Sequence, residues 1–135
     1  MTPSLRRFQL SILPESFAIV GLPPGSEVPA WAMYGNFFSV TRTAEELSII
    51  VEESRVPADL QFQGGWRAIK VHGPFVLNEV GVLASLAGPL AAAKISVFVI
   101  STFDTDYLLI AAEDLPGAKV VLERAGHTFS RSQSK

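Results

Sequence analysis

Proline sets the first constraint on this chain. Five of its nine prolines, Pro3, Pro14, Pro23, Pro24 and Pro29, fall within the first 29 residues. Proline lacks a backbone N–H and its ring clashes with the preceding helical turn, so no long helix forms in this quarter. At most a short turn fits near Pro29–Tyr34, with Pro29 at its start. The segments between the breaks read as strands. Phe8, Leu10 and Ile12 alternate with Gln9 and Ser11 up to Pro14. Phe17–Leu22 is a second apolar run, closed by Pro23-Pro24-Gly25. Phe37–Thr41 and Leu47–Val51 predict two more strands. Between them Thr43 and Glu46 have the spacing of a capping box for a single helical turn. Val56–Gly65, largely polar and carrying Pro57, reads as a loop.

The second half has a different rhythm. Trp66–His72 predicts a strand with Arg67, Ile69 and Val71 on one face and a mixed opposite face, as in an antiparallel sheet. Val80, Leu83, Leu86, Ala87, Leu90 and Ala91 recur every three or four residues, which predicts a helix. Pro89 inside it removes the bond to the Ser85 carbonyl, and a kink is expected. Ile95–Ser101, β-branched and aromatic, predicts a buried strand. A turn at Phe103-Asp-Thr-Asp and a strand at Tyr107–Ala112 follow. Asp114 is expected to cap a helix to about Ala125, stopped by Gly126. A short strand at His127–Arg131 and a frayed tail complete the chain. Strand–helix–strand–strand–helix–strand is the split pattern of the ferredoxin-like α+β fold.

Phe38–Ile50 aligns without a gap on Phe98–Ile110 at a separation of 60 residues. Phe38 falls on Phe98, Thr41 on Ser101, Glu46 on Asp106 and Ile50 on Ile110. This predicts two tandem modules with antiparallel sheets, residues 1–60 and 61–135. The first is degenerate, its first helix lost.

Composition narrows the function. With 48% hydrophobic and 18% charged residues, the chain does not match the profile of a disordered segment. A net charge of −2 leaves no basic excess for a phosphate backbone, so no nucleic-acid partner is expected. The absence of cysteine excludes disulfides, thiolate metal sites and a cysteine nucleophile, and favours a reducing compartment. The longest uncharged stretches, Val28–Thr41 and Val80–Ala93, are shorter than the ~20 residues of a membrane span. Glu15 interrupts the N-terminal apolar run, which therefore reads as the first strand of a cytoplasmic protein rather than as a signal peptide.

The stretch Val80-Gly-Val-Leu-Ala-Ser-Leu-Ala-Gly-Pro-Leu-Ala-Ala-Ala-Lys-Ile-Ser-Val-Phe-Val-Ile-Ser-Thr resembles the core signature of ACT domains. These are small regulatory modules that typically recognise amino acids. The shared features are a glycine at the helix start, an apolar helix, and an Ile-rich strand after Ala-x-x-Ile. Thr102-Phe-Asp-Thr-Asp-Tyr is similar to the paired ACT domains that include the CASTOR-type arginine sensors and aspartate kinase regulatory domains. There the Thr-Phe-x-x-Asp stretch belongs to the ligand pocket, matching Thr102, Phe103 and Asp106. The resemblance is strongest over Trp66–Thr128. Only one pair of modules is present, so a pocket needing two pairs implies a homodimer.

A free amino acid presents a carboxylate and an ammonium. Backbone amides at a helix N-terminus suit the carboxylate, which points to Gly81, Val82 and Leu83, where glycine permits close approach. Its ammonium, or a cationic side chain, needs a carboxylate and oxygen acceptors. Asp104 and Asp106 with Thr102 meet that need, and the Phe103 ring can cover a cation. The competing reading makes Gly81 a packing residue, Asp104 a turn former and Phe103 a core residue. Two carboxyls alone do not define a metal site, and no cofactor is expected. His72 and His127 read as packing or edge residues. No nucleophile with a partner is evident, so no catalytic residue is assigned. Gly35 and Gly64-Gly65 are too sparse for a phosphate loop. The expected function is a non-catalytic sensor of a small amino-acid ligand that acts through a homodimer or on a partner enzyme. The alternative is a ligand-free ACT-fold protein that docks on a partner or on itself.

Overall fold

A computed structural model describes residues 7–72 and 81–130. The chain divides into two compact units. One runs from Glu15 to Trp66, and the other joins the segment ending at Pro14 to the chain from Arg67 onward. The units are therefore bounded differently from the expected 1–60 and 61–135.

The Glu15–Trp66 unit contains β2 (Phe17–Leu22), β3 (Ser39–Arg42), β4 (Leu47–Glu52) and the opening of β5 (Gln63–Val71). The strand order is β3-β4-β2-β5, with antiparallel registers such as Thr41↔Ser48, Ile19↔Ile50 and Phe17↔Trp66. Single 3-10 turns, Ala30–Ala32 and Glu53–Arg55, stand where a ferredoxin-like module has helices. The prolines explain the first of these. Pro29 sits just before the turn with extended backbone, so the short turn near Pro29 forms and no helix follows. Val20, Leu47, Ile49 and Val51 make the core, with Trp31 packed against it.

Two local expectations change in this unit. Thr43 does not start a helical turn. Its Oγ1 accepts from the N–H of Glu45 and of Glu46, each at 3.1 Å, while its own N–H donates to the Glu46 carbonyl at 2.9 Å. That is a hairpin turn, favoured because both flanks are already paired as strands. β5 also begins at Gln63, inside the expected loop. The Gly65 N–H donates to Glu53 Oε1 at 2.8 Å, and a Cβ on Gly64 would lie 2.7 Å from that same oxygen. Glycine therefore opens this strand by making room for a carboxylate.

The other unit contains β1 (Gln9–Ile12), the remainder of β5, α1 (Val82–Ala92), β6 (Phe98–Ser101), β7 (Asp106–Ala111), α2 (Leu115–Arg124) and β8 (Thr128–Phe129). From β5 onward this is the expected strand–helix–strand–strand–helix–strand order. The first strand of the chain is an addition to it. β1 lies antiparallel to β5, with Leu10↔Val71, and parallel to β8, with Gln9↔Thr128. It stands where the first and last strands of a ferredoxin-like sheet would otherwise meet. β7 pairs with β5 and β6. Leu10, Ile69, Leu86, Leu90, Leu108 and Ile110 are fully buried in the core. Each such side chain contributes about 1.5–3 kcal/mol by leaving water.

Three expectations are corrected here. The buried face of α1 is Val82, Leu86 and Leu90, whereas Leu83 is half-exposed. Val80 lies outside the described residues. Ile95–Ser101 is not a buried strand, because among the described residues β6 pairs only with β7 and its residues are half-buried or exposed. The buried strand is β7, where Leu108, Leu109 and Ile110 are all inaccessible. Asp114 makes no cap hydrogen bond, because its backbone is already helical and α2 is entered through a 3-10 turn at Ala112–Asp114. The helix does stop just before Gly126, which has φ +102°. Arg131 and the tail lie outside the described residues.

One polar side chain completes this core. His127 is 2% exposed. The Phe8 N–H donates to its Nδ1 at 3.1 Å, so the ring proton sits on Nε2, which lies 2.9 Å from the Ser85 carbonyl and donates to it. Ser85 is four residues before Pro89, so this carbonyl is the one that proline cannot serve. His127 supplies the hydrogen bond that Pro89 removes. Among the described residues, no helix is long and apolar enough to cross a membrane.

Candidate functional site

The seven residues singled out from sequence fall on two elements of the same unit. Gly81, Val82 and Leu83 form the start of α1. Gly81 is the N-cap residue with φ +87°, a left-handed conformation that glycine adopts without strain. Among the described residues, a Cβ there would meet nothing within 4 Å. The Gly81 carbonyl accepts the first helical bond, from the Ser85 N–H at 3.1 Å. The Val82 side chain is committed to the core, so only its backbone is free to meet a ligand. Leu83 is 46% exposed.

Thr102, Phe103, Asp104 and Asp106 lie on the β6–β7 hairpin. The Thr102 N–H donates to the Thr105 carbonyl at 2.8 Å, and the two threonine hydroxyls lie 2.7 Å apart. The Thr105 N–H in turn donates to Thr102 Oγ1 at 3.2 Å. This hydroxyl-bonded turn projects Phe103, at 77% exposure, away from the core. Phe103 is thus not a core residue. Asp104 is exposed at the tip, as a turn former would be. Asp106 differs, being only 9% exposed at the head of β7, opposite Ser101.

Strand pairing shifts the expected alignment of the two hairpins by one residue. Ser39 and Phe98, Leu47 and Asp106, and Glu53 and Ala112 open corresponding elements, each pair 59 residues apart. Pairing of Ser39 with Ile50 and of Phe98 with Leu109 keeps the same offset. So do the hairpin threonines Thr43 and Thr102. Asp106 therefore corresponds to Leu47, not Glu46. β4 and β7 share one alternation of buried and half-buried positions, and both begin on a buried residue. The isolation of Asp106 lies in this equivalence, which matching identical residues missed.

The histidines play structural roles. His72 Nε2 lies 2.8 Å from Ser11 Oγ, and burial followed by the neighbouring Lys70 ammonium lowers its pKa below the ordinary value. Among the described residues, no three His, Asp or Glu side chains lie together in a metal-binding arrangement. A cavity of about 340 Å³ in this unit is lined elsewhere, by residues that include Arg67, Leu115 and Phe129, and shares none of the seven.

A helix N-terminus and a threonine-bound hairpin carrying a buried aspartate, on an α+β sheet, belong to a small module of the ferredoxin-like class. The ACT domain model matches residues 61–124, and the model of an N-terminal domain matches 15–59. The chain is 38% identical to protein Atu0741 from Agobacterium tumefaciens, whose crystal structure superposes with a TM-score of 0.87 over 96% of this chain and 99% of that one. It is 33% identical over 96 residues to the human cytosolic arginine sensor for mTORC1 subunit 1, covering 65% of this chain and 29% of the sensor. The chain thus spans about a third of the length of the curated relatives it matches. The regulatory subunit of aspartate kinase from Thermus thermophilus shares the fold, with a TM-score of 0.57 at 10% identity over 83% of this chain and 92% of that one. Residues 61–124 belong to the ACT domain family.

Proposed function

We propose that the protein is a non-catalytic regulatory module that binds a free amino acid at the β6–β7 hairpin and the start of α1. In this reading Asp106 meets the ammonium or a cationic side chain. The amides of Gly81–Leu83 meet the carboxylate. Leu83 and Phe103 supply apolar cover. The carrying observation is Asp106 itself. As a residue Asp106 is 9% exposed, at the head of a strand whose counterpart in the other unit begins with Leu47. The fold accommodates leucine there, so the carboxyl serves something other than folding. Similarity to an arginine sensor supports an amino acid as the ligand.

The chain is read as two tandem ACT-like modules, the one around Glu15–Trp66 degenerate, working in the cytosol. A second copy completes the site, and ligand shifts the population of association states. The exposed side chains of Phe103 and Leu83 supply apolar surface for that contact. Thermal unfolding against each of the twenty amino acids tests the proposal. A ligand at 100 times its dissociation constant stabilises by about 2.7 kcal/mol. Asp106→Leu abolishes the response. If none of the twenty shifts the wild-type midpoint, the amino-acid reading fails, and self-association through Phe103 and Leu83 remains as the function to measure by sedimentation.

A further inference from the structure

The cavity of about 340 Å³ noted above is bounded by β1, β5, α2 and β8, and its chemistry is one-sided. Ile12, Leu115 and Phe129 make apolar walls, and Arg67 and Lys119 supply two cationic groups. No aspartate or glutamate among the described residues lines it. Arg67 Nη2 donates to the Leu13 carbonyl at 2.8 Å, which anchors the guanidinium. Its Nε is buried without a hydrogen-bond partner among the described residues. A buried donor left unpaired is rare in a folded protein and calls for an acceptor. With Nη2 held by the Leu13 carbonyl, the guanidinium of this lining residue carries further N–H donors than the fold uses, and a carboxylate is the acceptor that matches them. Lys119 Nζ stands 5.8 Å from the centroid of the Phe129 ring, which places a second positive charge beside the apolar wall.

We propose that this cavity is a second binding site, separate from the Asp106 hairpin, for a small carboxylate with an apolar body and no ammonium group. Arg67 grips the carboxylate, Lys119 adds long-range attraction, and Ile12, Leu115 and Phe129 take the hydrocarbon. A zwitterionic amino acid is disfavoured, because its ammonium meets two cations and no carboxylate. The volume is near the lower end of ligand pockets, which span about 300–1,000 Å³, and suits a body the size of a branched or aromatic side chain.

Calorimetry on the full chain tests this with 3-phenylpropanoate and 4-methylpentanoate, their primary amides, and L-phenylalanine and L-leucine. The acids are expected to bind at least about tenfold more tightly than their amides, a preference that weakens in high salt. Arg67→Gln is expected to weaken the acids by about tenfold or more, and Lys119→Gln by a few-fold. Lys119 is exposed, so its variant reports on the site even if Arg67→Gln loses stability. Asp106→Leu is expected to leave acid binding unchanged, which separates this site from the hairpin. Equal binding of acids and amides, undetectable acid binding, binding of the amino acids as tight as that of the acids, or acid binding indifferent to both cation variants would each overturn the proposal.

Discussion

The two units carry the same hairpin to different ends. β3–β4 and β6–β7 share pairing register and burial alternation, and Thr43 and Thr102 bond their turns in the same way. Yet β4 begins with fully buried Leu47 and β7 with Asp106. Around them, one unit reduces its helices to 3-10 turns and the other keeps both. The difference separates what the scaffold needs from what it carries. One hairpin forms with leucine at its head and the other with aspartate, and in the proposed reading that carboxyl is there for a ligand.

Exchange of those two residues breaks the comparison most sharply. Leu47→Asp puts a carboxyl where nothing is arranged to receive it, and should cost about 3 kcal/mol or more in denaturant unfolding. Asp106→Leu should change stability by about 1 kcal/mol or less while removing the response to amino acids. If the two substitutions cost the same, Asp106 is a structural residue. His127→Phe comes next. It keeps the ring stacked 5.8 Å from Phe8 but leaves the Phe8 N–H and the Ser85 carbonyl unpaired, for about 2–4 kcal/mol. Thr43→Val and Thr102→Val should each cost about 0.5–1.5 kcal/mol, and by similar amounts if the turns are equivalent. The smallest effect belongs to His72. Its pKa is lowered in the fold, so the unfolded chain takes up a proton first as pH falls below about 6.5. Stability should therefore decline slightly from that pH downward, and His72→Asn should flatten the decline in pH-dependent melting.

Much of the fold was legible in periodicity. The proline-dense opening excluded helices, and the second half displayed its strand–helix order. Pairing partners were not legible, because they are non-local. Nothing in the alternation of Phe8, Leu10 and Ile12 says that β1 joins β5 and β8. Nor does an apolar run say whether a strand is an edge, which is why Ile95–Ser101 read as buried while β6 lies half-exposed at the sheet margin. The hairpin candidates were legible through Thr102, Phe103 and Asp106. The true equivalence was not, since Phe38 and Phe98 attract an alignment one residue away from the hydrogen-bonded register. Arg67 read only as one member of a strand face, and its unpaired Nε becomes visible once Leu13 takes its Nη2.

The bond from His127 to Ser85 has a consequence for cutting this protein into pieces. The family match ends at residue 124, three residues short of His127, and begins well after Phe8. A fragment trimmed to 61–124 would lose both β1 and the imidazole, and the carbonyl orphaned by Pro89 would have no donor from the chain. Helix α1 is completed only once His127 has been made, so a ribosome-bound chain stalled before residue 127 would hold that helix unfinished.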